Sequence, residues 1–391
     1  MNPQENNEQK AVLADRVFDG RAWHADAAVL IDGRTVRGIA AQGEVPPDYR
    51  QIRLPTGSFV APGFIDLQVN GGGGVLLNDD PSAEAMRAIV RAHRRFGTTA
   101  LLPTLITDTC KKIDTAISAA HAVAGKDGVL GLHLEGPFIN PARAGVHSRD
   151  RIARAEMDDL EWLRELGQAG RSLITLAPEC VPAGFIRALV ECGIRVSAGH
   201  SEASAEIVMR ALDEGMTGVT HLFNAMPPFQ GRAPGLVGAA LADNRLVAGI
   251  IVDGIHVDPV SVRAAFAAKG ADGIALVTDA MPTVGANTET FQLMNRTISL
   301  RNGQLATAEG TLAGAHLDLA SAVRNTVKLC GIPLDDALRA ASSTPARFLG
   351  LEHERGTLTA GARADLVALT NDFNVVACWM GGIEESEFRS P

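Results

Sequence analysis

Short apolar runs that end on polar residues recur through the middle of the chain. Eight such runs end about 30 residues apart, and segments with helical spacing of apolar positions lie between most of them. The runs cover residues 63–68, 98–104, 129–135, 173–179, 194–200, 218–221, 247–253 and 274–279. Residues 82–96, 202–214 and 259–269 are predicted helices, and the first begins with a serine suited to capping.

Continuous apolar strands that alternate with helices predict a parallel sheet covered on both faces. Eight such units in roughly 250 residues are typical of a closed (β/α)8 TIM-type barrel. A doubly wound open sheet is the alternative. Its dinucleotide motif GxGxxG is missing after the first run, where residues 70–74 read Asn-Gly-Gly-Gly-Gly. The pattern therefore favours an α/β protein built on a barrel.

The two ends of the chain have a different pattern. Residues 11–60 and 355–391 are short alternating segments broken by Gly and Pro, with strand candidates at 364–368 and 375–380. Neither end could bury a core alone, so we expect both to form one small β-sandwich domain beside the barrel. The expected bounds are 1–61 and 351–391 for this domain and 62–350 for the barrel. A hairpin, with strands at 297–300 and 303–306, is predicted after the eighth barrel strand.

Charge and cysteine content narrow the class of partner. The 391 residues include 36 Lys and Arg against 45 Asp and Glu, a net charge of −9, which disfavours nucleic acid or an anionic membrane as partner. No apolar run approaches the roughly 20 residues of a membrane helix, and the first ten residues are polar. Five cysteines without a CxxC pair are typical of reduced thiols. We expect a cytoplasmic protein.

Chemistry in a parallel barrel collects where the strands end. The predicted strands end on five ionisable residues, and burying these unpaired would cost several kcal/mol each. They are His133, Glu135, His200, His221 and Asp279. One glutamate and two histidines with an open position suit a catalytic zinc ion, although any single histidine could instead be structural. Other histidines, His24, His93, His121 and His353, fall in segments predicted to lie at the surface.

Seven motifs stand in a fixed order along nearly the whole chain. They are PGFIDLQVNG (62–71), GLHLEGPF (131–138), SAGHS (197–201), THLFNAM (220–226), DGIH (253–256), TDA (278–280) and GTLAG (310–314). As an ordered set they resemble the N-acetylglucosamine-6-phosphate deacetylases of the metal-dependent amidohydrolase superfamily. The resemblance implies hydrolysis of the acetamide of N-acetyl-D-glucosamine 6-phosphate to D-glucosamine 6-phosphate and acetate, in amino-sugar catabolism.

The resemblance also implies a role for single residues. Glu135, His200 and His221 match metal ligands. Asp279 matches the carboxylate that takes the proton of the attacking water and later delivers it to the leaving amine. His147 matches a histidine near the acetyl group, as donor to the carbonyl oxygen or as a contact to the sugar. The implied substrate-binding residues are Val146, His147, Asn224, Ala225, Arg232, Asp253, His256, Leu312, Ala313 and Gly314.

The metal content and the assembly follow from the same resemblance. Many members of the superfamily carry HxH at the end of the first strand, where this chain has Gln68 and Asn70. Amides are poor zinc ligands, so a second metal would bind weakly there or not at all. We expect one divalent ion per subunit, most simply Zn²⁺. The resemblance further implies a homodimer in which Arg232 or His256 completes the phosphate site of the neighbouring subunit.

Three alternatives remain open at this point. The substrate could be the galactosamine epimer, because a single hydroxyl separates the two sugars. The enzyme could be another zinc amidohydrolase, a cyclic amidase or an N-acyl amino acid deacylase, which would not need Arg232 and His256 as phosphate donors. The chain could also be a non-catalytic barrel scaffold, which the presence of all four candidate catalytic side chains disfavours.

Overall fold

A computed structural model describes residues 8–385 and contains the predicted barrel. Eight parallel strands pair in chain order, and each predicted run contains or overlaps one of them. The strands are Phe64–Val69, Thr98–Ile106, His133–Glu135, Leu173–Leu176, Arg195–Ala198, Gly218–Val219, Val247–Ile250 and Ile274–Leu276. The barrel nearly closes on itself, because the Asp279 N–H donates to the Gln68 carbonyl at 3.0 Å. The barrel prediction is confirmed and the open sheet is wrong.

Helices cover the outside of the barrel, and the first of them is capped as the sequence predicts. The α-helices are Ala83–Arg94, Cys110–Val123, Leu160–Gln168, Phe185–Glu191, Ala205–Asp213, Gly235–Ala242, Pro259–Lys269, Leu319–Lys328, Leu334–Ala341 and Ser343–Phe348. Short 3-10 turns are Gln42–Glu44, Pro141–Arg143, Arg149–Arg151, Met157–Asp159, Pro178–Cys180 and Ala271–Gly273. The Ser82 hydroxyl accepts a hydrogen bond from the Ala85 N–H at 3.1 Å and so begins the first helix. None of the helices in residues 8–385 is long and apolar enough to cross a membrane.

Both ends of the chain contribute strands to a second sheet. Its eight strands are Gln9–Phe18, Trp23–Asp32, Thr35–Ala41, Arg50–Arg53, Ser58–Pro62, Leu366–Thr370, Val375–Met380 and Ile383–Glu384. The ends meet where Ser58–Pro62 runs antiparallel to Leu366–Thr370. The prediction of a separate β domain built from both termini is confirmed, whereas its exact bounds stay a prediction.

The inserted hairpin is larger than the sequence predicts. Three antiparallel strands, Thr290–Leu293, Arg296–Arg301 and Gln304–Ala306, follow the eighth barrel strand. A two-stranded ribbon, Gly71–Gly72 with Val75–Leu76, lies after the first barrel strand. Side chains of both insertions pack with Met281 in one hydrophobic cluster, so the hairpin supports the loop that follows the eighth strand.

The surface position predicted for His93 is wrong. Its side chain is completely buried in the helix Ala83–Arg94, and Nε2 lies 3.0 Å from the Gly71 carbonyl oxygen. The helix buries Met86, Ile89 and Val90, and His93 follows at the same helical spacing. Its place in the apolar pattern therefore outweighs its polarity.

A buried ion pair in the C-terminal segment lies at its junction with the barrel. Arg355 and Asp365 are 4% and 5% exposed, and the Arg355 Nη1 donates to the carboxylate. The same carboxylate accepts from the Arg363 Nε at 2.9 Å and from the Gly381 N–H at 2.7 Å. The Asp365 carbonyl accepts from the Gly63 N–H, next to the first barrel strand. One aspartate thus holds the junction between the two sheets.

Removal of the Asp365 charge is expected to destabilise the protein. Asp365→Asn removes the buried counter-ion of the Arg355 guanidinium and leaves it only the exposed carboxylate of Glu354, 3.2 Å from its Nε. Loss of one partner of a buried ion pair costs about 3–5 kcal/mol. The melting temperature measured by calorimetry falls by several degrees. Asp213→Asn is the matched control, because its contact with Arg245 is 3.5 Å long and exposed. Equal melting temperatures for both variants would contradict this account of the junction.

Candidate metal and active site

Three side chains from three different strand ends meet at the mouth of the barrel. Glu135 Oε1 lies 3.1 Å from His200 Nε2 and 2.9 Å from His221 Nε2, and the two nitrogens are 3.1 Å apart. All three side chains are buried, and their ligand atoms lie within 4.8 Å of one another. The structure therefore brings the predicted ligands together around one point.

The donor chemistry of this cluster fits a cation. The His200 Nδ1–H donates to the Arg143 carbonyl at 2.7 Å, so Nε2 carries a lone pair towards the cluster. Burial opposes the charge on Glu135, but the adjacent imidazoles of His200 and His221 outweigh it and hold the pKa of the carboxyl well below its ordinary value. A carboxylate and two imidazoles at one point are a ligand set for a divalent ion with an open position.

Asp279 lies beside this cluster at the end of the eighth strand. The Asn70 Nδ2 and the Gln68 Nε2 donate to its Oδ1 at 2.6 and 3.0 Å. Burial first, and then the negative charge of Glu135, raise the pKa of Asp279 to about 6. A nearby divalent cation would oppose this shift and favour the carboxylate, which can accept a proton.

The amides at the candidate second-metal position donate to carboxylates. Besides Asp279, the Gln68 Nε2 also donates to Glu135 Oε2 at 3.1 Å. Since carboxylates only accept hydrogen bonds, Gln68 and Asn70 must present NH2 groups here, and an NH2 group does not ligate a cation. This arrangement supports a site for a single metal.

The backbone at the strand ends is held in an unusual conformation. His200, His221 and Asp279 have φ of 49°, 32° and 51°, in the left-handed region that side chains other than glycine rarely adopt. Each such residue costs about 1 kcal/mol or more, a strain that clusters at functional sites. The sharp turn of the chain after each short strand ends the pairing at the mouth.

A cavity of about 390 Å³ opens above the cluster, within the size range of small-molecule sites. The predicted residues that line it are Val146, His147, Asn224, Ala225, His256, Leu312 and Gly314. Apolar side chains of Ile106, Ile251 and Met281 complete its wall. Burial, followed by the positive influence of His200, lowers the pKa of His147 to about 3, so this ring is neutral.

Three predicted substrate residues do not line the cavity. Ala313 is buried in the hydrophobic cluster of the hairpin. Asp253 instead holds His256, because its carboxylate lies 2.6 Å from the His256 Nδ1 and accepts from two backbone N–H groups at 2.8 Å. Arg232 is exposed on the loop 227–233, and its side chain makes no hydrogen bond or ion pair within residues 8–385. In a single chain it is not among the residues that line the cavity.

Glycine is required at position 314. Its φ is +64°, and a Cβ there would lie 2.6 Å from the Met281 Cε and 2.8 Å from the Asp279 carbonyl oxygen. Only a residue without a side chain therefore fits at position 314, next to the backbone of Asp279.

His133 belongs to the barrel interior rather than to the cavity. Its Nε2 lies 2.8 Å from the Thr175 hydroxyl and its Nδ1 lies 3.2 Å from the Thr104 hydroxyl. Burial lowers the pKa of His133 to about 4. His133 is therefore a structural, hydrogen-bonded histidine, the alternative to a metal ligand that the sequence left open.

Sequence reasoning missed three residues that hold the site. Asp66 accepts from the Thr278 hydroxyl at 2.6 Å, which ties the first strand to the eighth. Glu179 accepts from the Ser201 hydroxyl at 2.7 Å and from Asn140 at 2.9 Å. Thr107 contacts His147. Asp66 could have been found, because it is a charged residue inside the apolar run 63–68. No feature of the sequence pointed to Thr107.

Comparison with known proteins decides the family. The sequence profile described as "Amidohydrolase family" matches residues 59–383. The chain belongs to the amidohydrolase family. The resemblance predicted from the motifs is confirmed.

Relatives of this amidohydrolase match over most of their length. An N-acetylgalactosamine-6-phosphate deacetylase of Shewanella sp. (strain ANA-3) is 42% identical over 86% of this chain and 85% of its own. An N-acetylglucosamine-6-phosphate deacetylase of Haemophilus influenzae is 34% identical over 91% of this chain and 94% of its own. The crystal structure of the N-acetylglucosamine-6-phosphate deacetylase from Pasteurella multocida has a TM-score of 0.92, with 35% identity and coverage of 96% and 99%.

The family implies a metal-dependent hydrolase with a divalent ion, and the buried cluster of Glu135, His200 and His221 is compatible with that cofactor. The lone pair of His200 Nε2 and the carboxylate of Glu135 would hold such an ion, with His221 as the third ligand.

Loss of one imidazole is expected to abolish metal binding. His200→Ala removes one of three ligands, so metal per chain, measured by mass spectrometry after dialysis, falls at least tenfold. His316→Ala is the control, because that exposed histidine lies outside the cluster. Full metal content in His200→Ala would contradict the proposed ligand set.

Proposed function

We propose that this amidohydrolase hydrolyses the acetamide of N-acetyl-D-glucosamine 6-phosphate to D-glucosamine 6-phosphate and acetate. The observation that carries the proposal is the convergence of Asp279 with the Glu135, His200 and His221 cluster at the base of a cavity. The same cavity is lined by His256, whose Nδ1 lies 2.6 Å from the Asp253 carboxylate. Relatives with sugar-phosphate deacetylase activity in their names support the substrate class.

The residues divide the chemistry of amide hydrolysis among them. A divalent ion, when bound, polarises the acetamide carbonyl and makes water nucleophilic at neutral pH. The Asp279 carboxylate takes one proton of the attacking water as the new C–O bond forms. It then delivers that proton to the sugar nitrogen as the C–N bond breaks, so that the amine leaves in neutral form. Gln68 and Asn70 orient Asp279 for both transfers.

The phosphate is bound beside His256 in the cavity wall. Glu135 and Asp279 offset the charge of a divalent ion and leave little attraction for a dianion. His256, oriented by Asp253, supplies a donor from the cavity wall, and the backbone at Asn224 and Ala225 supplies further contacts. The Arg232 guanidinium suits phosphate, and from its exposed position it would reach the cavity of a neighbouring subunit.

Zn²⁺ is the proposed ion, because one carboxylate and two imidazoles with an open position are a zinc ligand set. A homodimer is supported by the loop that carries Arg232, where Phe229 is 59% exposed. A cytoplasmic location is supported by the five cysteines, which all lie in the described residues and form no disulfide.

The galactosamine epimer is the second candidate substrate. A relative named for that epimer is 42% identical to this chain, against 34% for the Haemophilus influenzae enzyme named for the glucosamine sugar. The two substrates differ at one hydroxyl, so discrimination depends on the hydrogen bonds made to it.

Acetate release tests the function. The zinc-loaded protein is expected to release acetate from one of the two epimeric 6-phosphates, and at least a hundredfold more slowly from unphosphorylated N-acetylglucosamine. Asp279→Asn retains the ligands, so it keeps its metal and loses most turnover. Activity independent of phosphate would favour another amidase, and full turnover in Asp279→Asn would remove it from proton transfer.

Mixed dimers test whether Arg232 acts on the neighbouring subunit. Arg232→Ala and His200→Ala are each expected to be nearly inactive. When the two variants are coexpressed, about a quarter of wild-type turnover is expected. Half of the dimers in a random mixture are mixed, and one of the two sites in each mixed dimer combines an intact metal site with an intact Arg232 from the neighbouring subunit. The control pair, His200→Ala with Asp279→Asn, cannot restore any site. Recovery absent from the first pair would place Arg232 in its own subunit's site or outside both.

A further inference from the structure

Glu179 is a half-buried residue in the turn that follows the fourth barrel strand, Leu173–Leu176. This strand supplies none of the three candidate metal ligands. It pairs on one side with the third strand, which ends at Glu135, and on the other side with the fifth, after which His200 follows. Glu179 thus comes from the strand between two strands that lead to ligands.

Donors from the loops of both neighbouring strands meet on the Glu179 carboxylate. The Asn140 Nδ2, in the loop after the third strand, donates to Oε1 at 2.9 Å. In the loop after the fifth strand, the Glu202 N–H donates to Oε1 at 2.6 Å and the Ser201 hydroxyl donates to Oε2 at 2.7 Å. A carboxylate only accepts hydrogen bonds, so the direction of each bond is settled.

Asn140 also connects this carboxylate to the ring of His200. Its Oδ1 accepts from the Ala142 N–H at 2.9 Å and so begins the turn Pro141–Arg143. At the end of that turn the Arg143 carbonyl accepts from the His200 Nδ1–H at 2.7 Å, and the Asn140 N–H donates to the His200 carbonyl at 2.9 Å. The loop therefore holds His200 at its ring and at its backbone.

The backbone conformation of His200 depends on such support. Its φ of 49° costs about 1 kcal/mol or more and persists only where the surrounding structure fixes it. Glu179 binds Ser201 and Glu202, the two residues directly after it. Through Asn140, Glu179 also binds the turn whose last carbonyl accepts from the ring. One carboxylate therefore fixes both sides of the contact that orients His200.

We propose that Glu179 is a positioning residue of the metal site, which joins the loops after the third and fifth strands so that the His200 Nε2 lone pair points into the ligand cluster. This inference rests on the metal site of the proposed function and deepens it. Replacing a residue that orients a metal ligand changes metal affinity by about 10–100-fold. Glu179 acts through geometry rather than charge, because its hydrogen bonds go to the loops and not to the ligand side chains.

The zinc affinity of the folded protein, measured by competition with a chelating dye, tests this role. Glu179→Ala removes all three contacts, so the dissociation constant for zinc is expected to rise about tenfold or more. Glu179→Gln is expected to stay within about threefold of the wild type. Its amide oxygen still accepts from Asn140 and Glu202, and its NH2 group donates to the Ser201 hydroxyl, which then turns its own proton away.

Asn140→Ala tests the same connection from its other end. It removes the donor to Glu179 and the cap of the turn, so the dissociation constant for zinc is expected to rise as well. Combined with Glu179→Ala, it is expected to add less than the product of the two single effects, because both changes break one chain of contacts. Glu191→Gln, at the exposed end of the helix Phe185–Glu191, is the control and leaves zinc affinity unchanged.

Turnover separates positioning of the ligand from a general loss of structure. All three ligands remain in Glu179→Ala, so excess zinc is expected to restore most of the wild-type kcat. Circular dichroism of the metal-free variant confirms that it is folded at the assay temperature. A loss of kcat that excess zinc does not restore would contradict a role in metal binding.

Two further results would overturn the inference. Equal losses of zinc affinity in Glu179→Gln and Glu179→Ala would show that the charge of Glu179 acts on the ion. Wild-type zinc affinity in Glu179→Ala, or in Asn140→Ala if the former does not fold, would show that the loops hold His200 without this carboxylate. Zinc affinity is measured without substrate, so a failure to release acetate from either sugar phosphate would refute the proposed function and leave this test intact.

Discussion

The meeting of one carboxylate and two imidazoles at one buried point is the constraint on which the site depends. A carboxylate oxygen and two imidazole nitrogens lie about 3 Å apart at the ends of three strands. Because the second nitrogen of His200 is committed to the Arg143 carbonyl, its lone pair has to face inwards. Such an arrangement is costly in an apolar interior unless a positive charge compensates it. A bound cation would therefore stabilise these side chains at the mouth of the barrel.

The barrel supplies this geometry because parallel strands end at the same rim. Residues 135, 200, 221 and 279 are far apart in the chain, yet each follows a neighbouring or nearby strand. The left-handed backbone at three of them turns the chain sharply at the rim. Contacts below the rim, such as Asp66 with Thr278, hold the strand ends in register. The positions of the ligand side chains are therefore set by several strands together.

The fold and the centre of the candidate site were predictable from the sequence for a physical reason. Strands buried on both faces produce continuous apolar runs, and polar residues at the ends of those runs mark the mouth. Thr107 was not predictable, because threonine is common in strands and its contact with His147 joins segments 40 residues apart. His93 was misplaced because its polarity was given more weight than its helical spacing. The hairpin strand Thr290–Leu293 was missed because only two of its four residues are apolar.

The paired amides of Gln68 and Asn70 have a consequence for assembly. In small zinc domains the negative ligands have nothing but the ion to neutralise them, and such chains unfold when it is removed. Here two amide groups already stabilise the charges of Glu135 and Asp279 through three hydrogen bonds. Folding of the barrel and binding of the ion are therefore expected to be separable events.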